Sequence, residues 1–81
     1  MSYEKWKAQA QDFPVIDVRH LQGNFFPALK QKAIGLEVGE GFTVIQAFEP
    51  HPLYAAMEAL GFEHFTEQAG LAEFRVSFCR M

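Results

Sequence analysis

The sequence predicts an α/β two-layer sandwich in which two helices cover one face of a mixed four-stranded sheet, in the element order β-α-β-α-β-β. Two short runs rich in β-branched and aromatic residues, 13–19 and 42–48, flank a segment whose apolar residues recur at helical spacing. A second helical pattern ends at Gly61, and the last strand alternates without a break, Phe74, Val76 and Phe78 against Arg75, Ser77 and Cys79. A helix between two strands implies a right-handed parallel crossover, and a closing hairpin adds two antiparallel strands. With 81 residues the chain has room for one domain and one core.

Residues 1–12 read as an N-terminal extension, with Ser2 as cap of a short helix over 3–11 and Tyr3, Trp6 and Ala10 as its apolar stripe; the domain proper is 13–81. In the first strand Val15, Ile16 and Val18 are β-branched and Pro14 belongs at its start. Gly23-Asn24 supplies a turn, Asn24 is the expected N-cap, and Pro27 in the first helical turn loses no required donor. Phe26, Leu29, Ala33 and Leu36 form the inward face of that helix, and Lys30, Gln31 and Lys32 face water. After the polar, Gly-rich stretch 37–41 comes the clearest strand, 42–48. Pro50 and Pro52 break it and lead into a helix over 53–60, with Leu53, Ala56, Met57 and Leu60 on one face and Gly61 at the left-handed C′ position. Strands over 63–67 and 73–80 are expected to turn around Ala69-Gly70. The open face of the sheet needs a cover, which is either the N-terminal segment or a second copy of the chain.

Composition narrows the function. At 49% hydrophobic and 15% aromatic, with nine Phe, the chain has the material for a packed core and is not expected to be disordered. A net charge of −3 without a Lys/Arg cluster argues against nucleic acid. No apolar run is long enough to span a bilayer, and Glu4, Lys5 and Lys7 interrupt the region where a signal peptide would be apolar, so a cytoplasmic protein is expected. A lone cysteine, Cys79, makes no internal disulfide and suits a reducing compartment.

The run Asp17-Val18-Arg19-His20-Leu21, leading through Phe25-Phe26-Pro27 into a helix, resembles the strand-to-helix junction of the TusA/SirA-like sulfur carriers, where D-x-R-G-L precedes a Cys-Pro pair. It is more similar still to a group of small uncharacterised TusA-related domains with D-V-R-x-L, G-E-x-x-x-V, x-P-x-P-L-Y and G-[FW]-E in order. Here those read Asp17 to Leu21, Gly39 to Val44, Glu49 to Tyr54, and Gly61-Phe62-Glu63. The resemblance implies a TusA-like fold over most of the chain and no settled activity or cofactor. The carriers' cysteine, activated at a helix N-terminus, is replaced by phenylalanine, and the Gly after Arg is His20.

Ligands of open α/β units gather beyond the carboxyl ends of the strands, where Asp17, Arg19, His20, Glu49 and His51 are expected to converge. One reading makes His20, Glu49 and His51 a metal or haem site. The other makes His20 a loop residue, His51 a helix cap, and Asp17 a partner of Arg19. Cys79 is the alternative redox or sulfur-transfer residue, with Arg75 and Arg80 favouring its thiolate. His64 is expected to face solvent; Phe25, Phe26, Phe48, Phe62, Tyr54 and Trp6 could form an aromatic surface for a partner chain, but most of them must fill the core, so one or two, including Phe25, are expected to be exposed. The reading that follows is a non-enzymatic module for another protein or a small ligand at the loop end carrying Asp17, Arg19, His20, Phe25 and His51, with a homodimer as a further option.

Overall fold

The computed structural model describes residues 6–20 and 25–81. Four strands, β1 (Val15–Asp17), β2 (Gly41–Gln46), β3 (Phe62–Gly70) and β4 (Glu73–Arg80), form one sheet in the order β1-β2-β4-β3. β1 pairs parallel to β2, and the other two pairings are antiparallel. Helix α1 (Phe26–Ile34) makes the crossover and α2 (His51–Ala59) connects β2 to β3. The expected two-layer architecture is therefore the observed one.

Register assigns every strand residue to a face, because cross-strand partners share one. Phe42, Phe78 and His64 align on one side, as do Val44, Val76 and Thr66. Phe42, Val44, Val76 and Phe78 meet Leu29 and Ala33 of α1 and Leu53 and Met57 of α2 in the main core, as the helical spacing predicted, with Phe26, Leu36 and Leu60 packed around it. The other side carries Thr43, Ser77 and Phe65 in one row and Ile45, Arg75 and Glu67 in the next. A 3-10 helix, Lys7–Asp12, lies on part of that side, and Trp6, Ala10 and Cys79 form a second small core with Phe13 and Phe65 against it. The cover over this part of the open face thus comes from the N-terminal segment. Ser2 and Tyr3 lie outside the described residues, as do Leu21 and the expected Gly23-Asn24 turn with its Asn24 cap.

Several boundaries differ from expectation for local reasons. β1 is only three residues long, although its ladder continues through Thr43 N to Pro14 O and Val18 N to Ile45 O. Pro14 has no N–H to give, and Arg19 turns back onto Asp17. Phe25, without a side-chain cap, precedes α1. β2 ends at Gln46, so Ala47 and Phe48 leave the sheet exposed. α2 starts at His51, earlier than predicted, because Pro52 is tolerated inside a first turn; His51 is thus the first helical residue and not the cap. The hairpin turn falls at Leu71-Ala72, since a bulge between Gln68 and Gly70 absorbs Ala69 and lets β3 run on to Gly70.

Two glycines are required. Gly61 closes α2 at φ 90°, the left-handed conformation that the sequence pattern predicted. Gly41 is needed for space: a Cβ there would sit 2.1 Å from the Phe78 carbonyl oxygen and 2.5 Å from the Phe13 ring. Arg80 binds the end of α1, donating to the carbonyls of Leu36 at 2.9 Å and Ile34 at 3.4 Å, which leaves that helix terminus satisfied.

Candidate functional site

The residues expected to converge beyond the strand ends form two groups on opposite sides of the sheet. Asp17 pairs in register with Ile45 and so lies on the face away from the helices. Its carboxylate accepts from the Arg19 guanidinium at 3.0 and 2.8 Å and from the Arg19 backbone N–H at 3.0 Å. These hydrogen bonds from Arg19 hold the Asp17 carboxyl at about 2, and the same contact raises the arginine. His20 stands 3.6 Å from Asp17, Arg19 reaches Glu73 at 3.7 Å, and Glu73 meets Arg75 at 3.2 Å. Asp17, Arg19, Glu73 and Arg75 thus alternate in sign along the open face and neutralise one another.

The second group lies on the helix side. His51 is 3.6 Å from Glu49 and sits edge-on to the Tyr54 ring. Tyr54 donates to Glu49 at 3.2 Å, makes a very short hydrogen bond with the Thr66 hydroxyl, and stacks on His64 with ring centroids 4.1 Å apart. Burial raises the Tyr54 phenol and lowers the His64 imidazole. His64 is therefore a half-buried stacking partner and not the solvent-facing residue expected, because Phe78 opposite it places its side chain on the core face. Sequence reasoning named Tyr54 only as a possible surface aromatic and did not single out Thr66; that Tyr54, His64 and Thr66 meet depends on packing between α2 and β3, which no local pattern announces.

Among the described residues no three His, Cys, Asp or Glu side chains come close enough to hold a metal ion. His20 and His51, each tied to a different carboxylate, are not brought together around Glu49.

Between the two groups the carboxyl end of β2 and the starts of α1 and α2 enclose an apolar pocket of about 190 Å³, lined by Phe25, Phe26, Gln46, Phe48, Pro50, Pro52 and Leu53. Phe25 is half-buried here and packs on the core; among the described residues the exposed Phe is Phe48, 61% accessible. The exchange follows from β2 ending early, which releases Phe48 from the sheet, while the start of α1 draws Phe25 inward.

Cys79 is 1% exposed beneath Trp6 and Ala10. Burial, and then the nearby Glu63 carboxylate, raise its thiol above the ordinary range. The arginines expected to favour a thiolate are engaged elsewhere, Arg75 with Glu73 and Arg80 with the end of α1. This environment is that of a packing residue.

Residues 15–80, which span the sheet and both helices, match the family described as Uncharacterized conserved protein (DUF2249). The chain belongs to that family. No curated protein and no solved structure matches it. No helix among the described residues is long and apolar enough to cross a membrane.

Proposed function

We propose that this DUF2249 domain is a non-enzymatic protein-binding module whose partner inserts an apolar side chain into the pocket between the starts of α1 and α2. The observation that carries this reading is the exposed Phe48 in the wall of a pocket lined by apolar side chains apart from Gln46. Its volume of about 190 Å³ falls below the roughly 300–1,000 Å³ of ordinary small-molecule sites and suits one anchoring side chain. Glu49 and His51 beside it supply the polar rim that surrounds such anchors.

The likeness to the TusA/SirA carriers supports the same location. Where those carriers keep Cys-Pro, this chain has Phe26-Pro27, so the place of the reactive thiol becomes apolar contact surface. A sulfur-transfer role through Cys79 would need the thiol exposed, and its burial under Trp6 does not favour it. Arg19 and His20, on the other side of the strand ends, would contribute only to a partner large enough to wrap that edge.

The test is crosslinking in source cells followed by binding measurements with the purified partner, comparing wild type with Phe48→Asp, Arg19→Ala/His20→Ala and Cys79→Ser. The expected result is a partner bound by wild type and by Cys79→Ser and lost in Phe48→Asp. A partner that binds Phe48→Asp as tightly as wild type, or a variant Cys79→Ser that alone loses binding, overturns the reading.

A further inference from the structure

The two edges of the sheet are built differently. β1 is three residues long, starts after Pro14, and ends where Arg19 folds its backbone N–H and guanidinium onto Asp17. A short strand flanked by proline and charge is a protected edge. β3, at the other edge, is nine residues long, contains no proline, lysine or arginine, and bulges only near its end, between Gln68 and Gly70. Met81 N donates to Gly61 O at 2.9 Å, which sets the alternation of the antiparallel ladder. Glu63, Phe65 and Glu67 therefore bond to β4, while His64, Thr66 and Gln68 direct their backbone N–H and C=O outward. Among the described residues no backbone hydrogen bond reaches those outward groups. Tyr54 holds the stretch in place through its bond to Thr66 and its stacking on His64.

We propose that the β3 edge takes up an extended segment of another protein as a fifth strand, and that this segment is basic. On the open face β3 presents Glu63, Phe65 and Glu67 in alternation. Glu63 accepts from the Trp6 indole at 3.0 Å, Arg75 opposite Glu67 turns to Glu73 at 3.2 Å, and Lys7 is engaged over the Phe65 ring. Among the described residues neither Glu63 nor Glu67 makes an ion pair. Cross-strand pairing then favours Lys or Arg opposite each carboxylate, four residues apart, with a β-branched or aromatic residue between them opposite Phe65. The same carboxylates disfavour a second copy of the chain. Antiparallel pairing of β3 with itself sets like charges opposite one another in the registers centred on Glu63, Phe65 or Glu67, and diagonal to one another in those centred on His64 or Thr66. Main-chain hydrogen bonds supply the affinity of such an added strand, and the two cations its selectivity. The Phe48 pocket lies at the carboxyl end of β2, and neither proposal depends on the other.

The test is titration of the full ¹⁵N-labelled chain with two end-blocked peptides, Thr-Lys-Thr-Val-Thr-Lys-Thr and Thr-Glu-Thr-Val-Thr-Glu-Thr, and with the basic one N-methylated at the two threonines beside valine, whose amides face β3. Saturable amide shifts and slowed hydrogen exchange at His64, Thr66 and Gln68 are expected with the basic peptide, binding about tenfold weaker with the acidic one, and none with the methylated one. Glu67→Lys, at an exposed position, should weaken the basic peptide about fivefold and strengthen the acidic one by a similar factor, since one opposite-charge pair becomes a like-charge pair. No saturable binding of the basic peptide, equal affinity for the acidic one, binding that survives N-methylation, or dimerisation of the chain through the same amides overturns the proposal.

Discussion

The two faces of the sheet are built on different principles. On the helix side, Phe42, Val44, Val76 and Phe78 are fully buried hydrocarbon under α1 and α2. On the other side the same strands present Thr43, Ile45, Arg75, Ser77 and Cys79, and among the described residues Trp6, Ala10 and Phe13 give part of them an apolar cover. Burial of apolar surface is the dominant favourable term in folding, so the helix side supplies most of the stability. The other side is then free to carry hydroxyls and charges at modest cost, provided those that are buried are paired. That condition is met: no buried side-chain nitrogen or oxygen among the described residues lacks a partner.

Phe42→Ala breaks the helix side where Phe42 stacks on Phe78 and meets Phe62 edge-on, with centroids 5.3 and 6.1 Å away. A loss of about 3–5 kcal/mol is expected by urea denaturation, enough to unfold much of a domain this size. On the other face, Trp6→Ala removes the ring that stacks on Phe13 and leans at a tilt on Phe65, and the hydrogen bond from Nε1 to Glu63 at 3.0 Å. Its expected cost is about 3 kcal/mol, the lower end of the range for tryptophan truncation, because the cap is thin and one side can collapse. The same variant should expose Cys79, measured as faster labelling by a thiol reagent. If Trp6→Ala costs more than Phe42→Ala, the ranking of the two faces is reversed.

How much of this contrast was legible in the chain depends on distance. The helix faces of α1 and α2, the alternation of β4 and the left-handed Gly61 are local patterns, and they survive in the structure because packing reinforces them. Asp17 and Arg19 could not be assigned to a face from sequence, since Val15, Ile16 and Val18 make β1 apolar on both sides and a period of two needs a polar side to be read. The separation of the candidate site into two groups follows from that missing parity. Trp6 was legible as part of an apolar stripe, but its bond to Glu63 spans 57 residues and no local pattern announces it. Likewise Phe48 reads as strand because it continues an aromatic and β-branched run, while hydrogen bonding stops at Gln46.

His64 gives a subtler test on the helix side. Burial beside Tyr54 and Phe78 lowers its pKa from the ordinary value of 6.5, outweighing the Glu58 and Glu49 carboxylates, which raise it. The unfolded chain then takes up the proton first as pH falls. Stability is full above the ordinary histidine value, declines as pH drops through it, and levels off once the folded state is also protonated. Urea midpoints at pH 7.5 and 5.5 should differ more for wild type than for His64→Gln. An equal or opposite difference would mean that stacking on Tyr54 favours the imidazolium, and that the helix side tolerates charge as the open side does.

The smallest net effect belongs to the hydroxyl pair on the open face. Thr43→Val alone leaves the Ser77 hydroxyl buried without its partner and should cost about 1–2 kcal/mol, whereas Thr43→Val/Ser77→Ala removes both ends of the bond and should lie within about 1 kcal/mol of wild type. The recovery from single to double variant, read from urea midpoints, measures whether the two hydroxyls serve only each other. A double variant as unstable as the single one would mean that the pair also holds groups from the N-terminal cover, making the open face a polar core and not a satisfied surface.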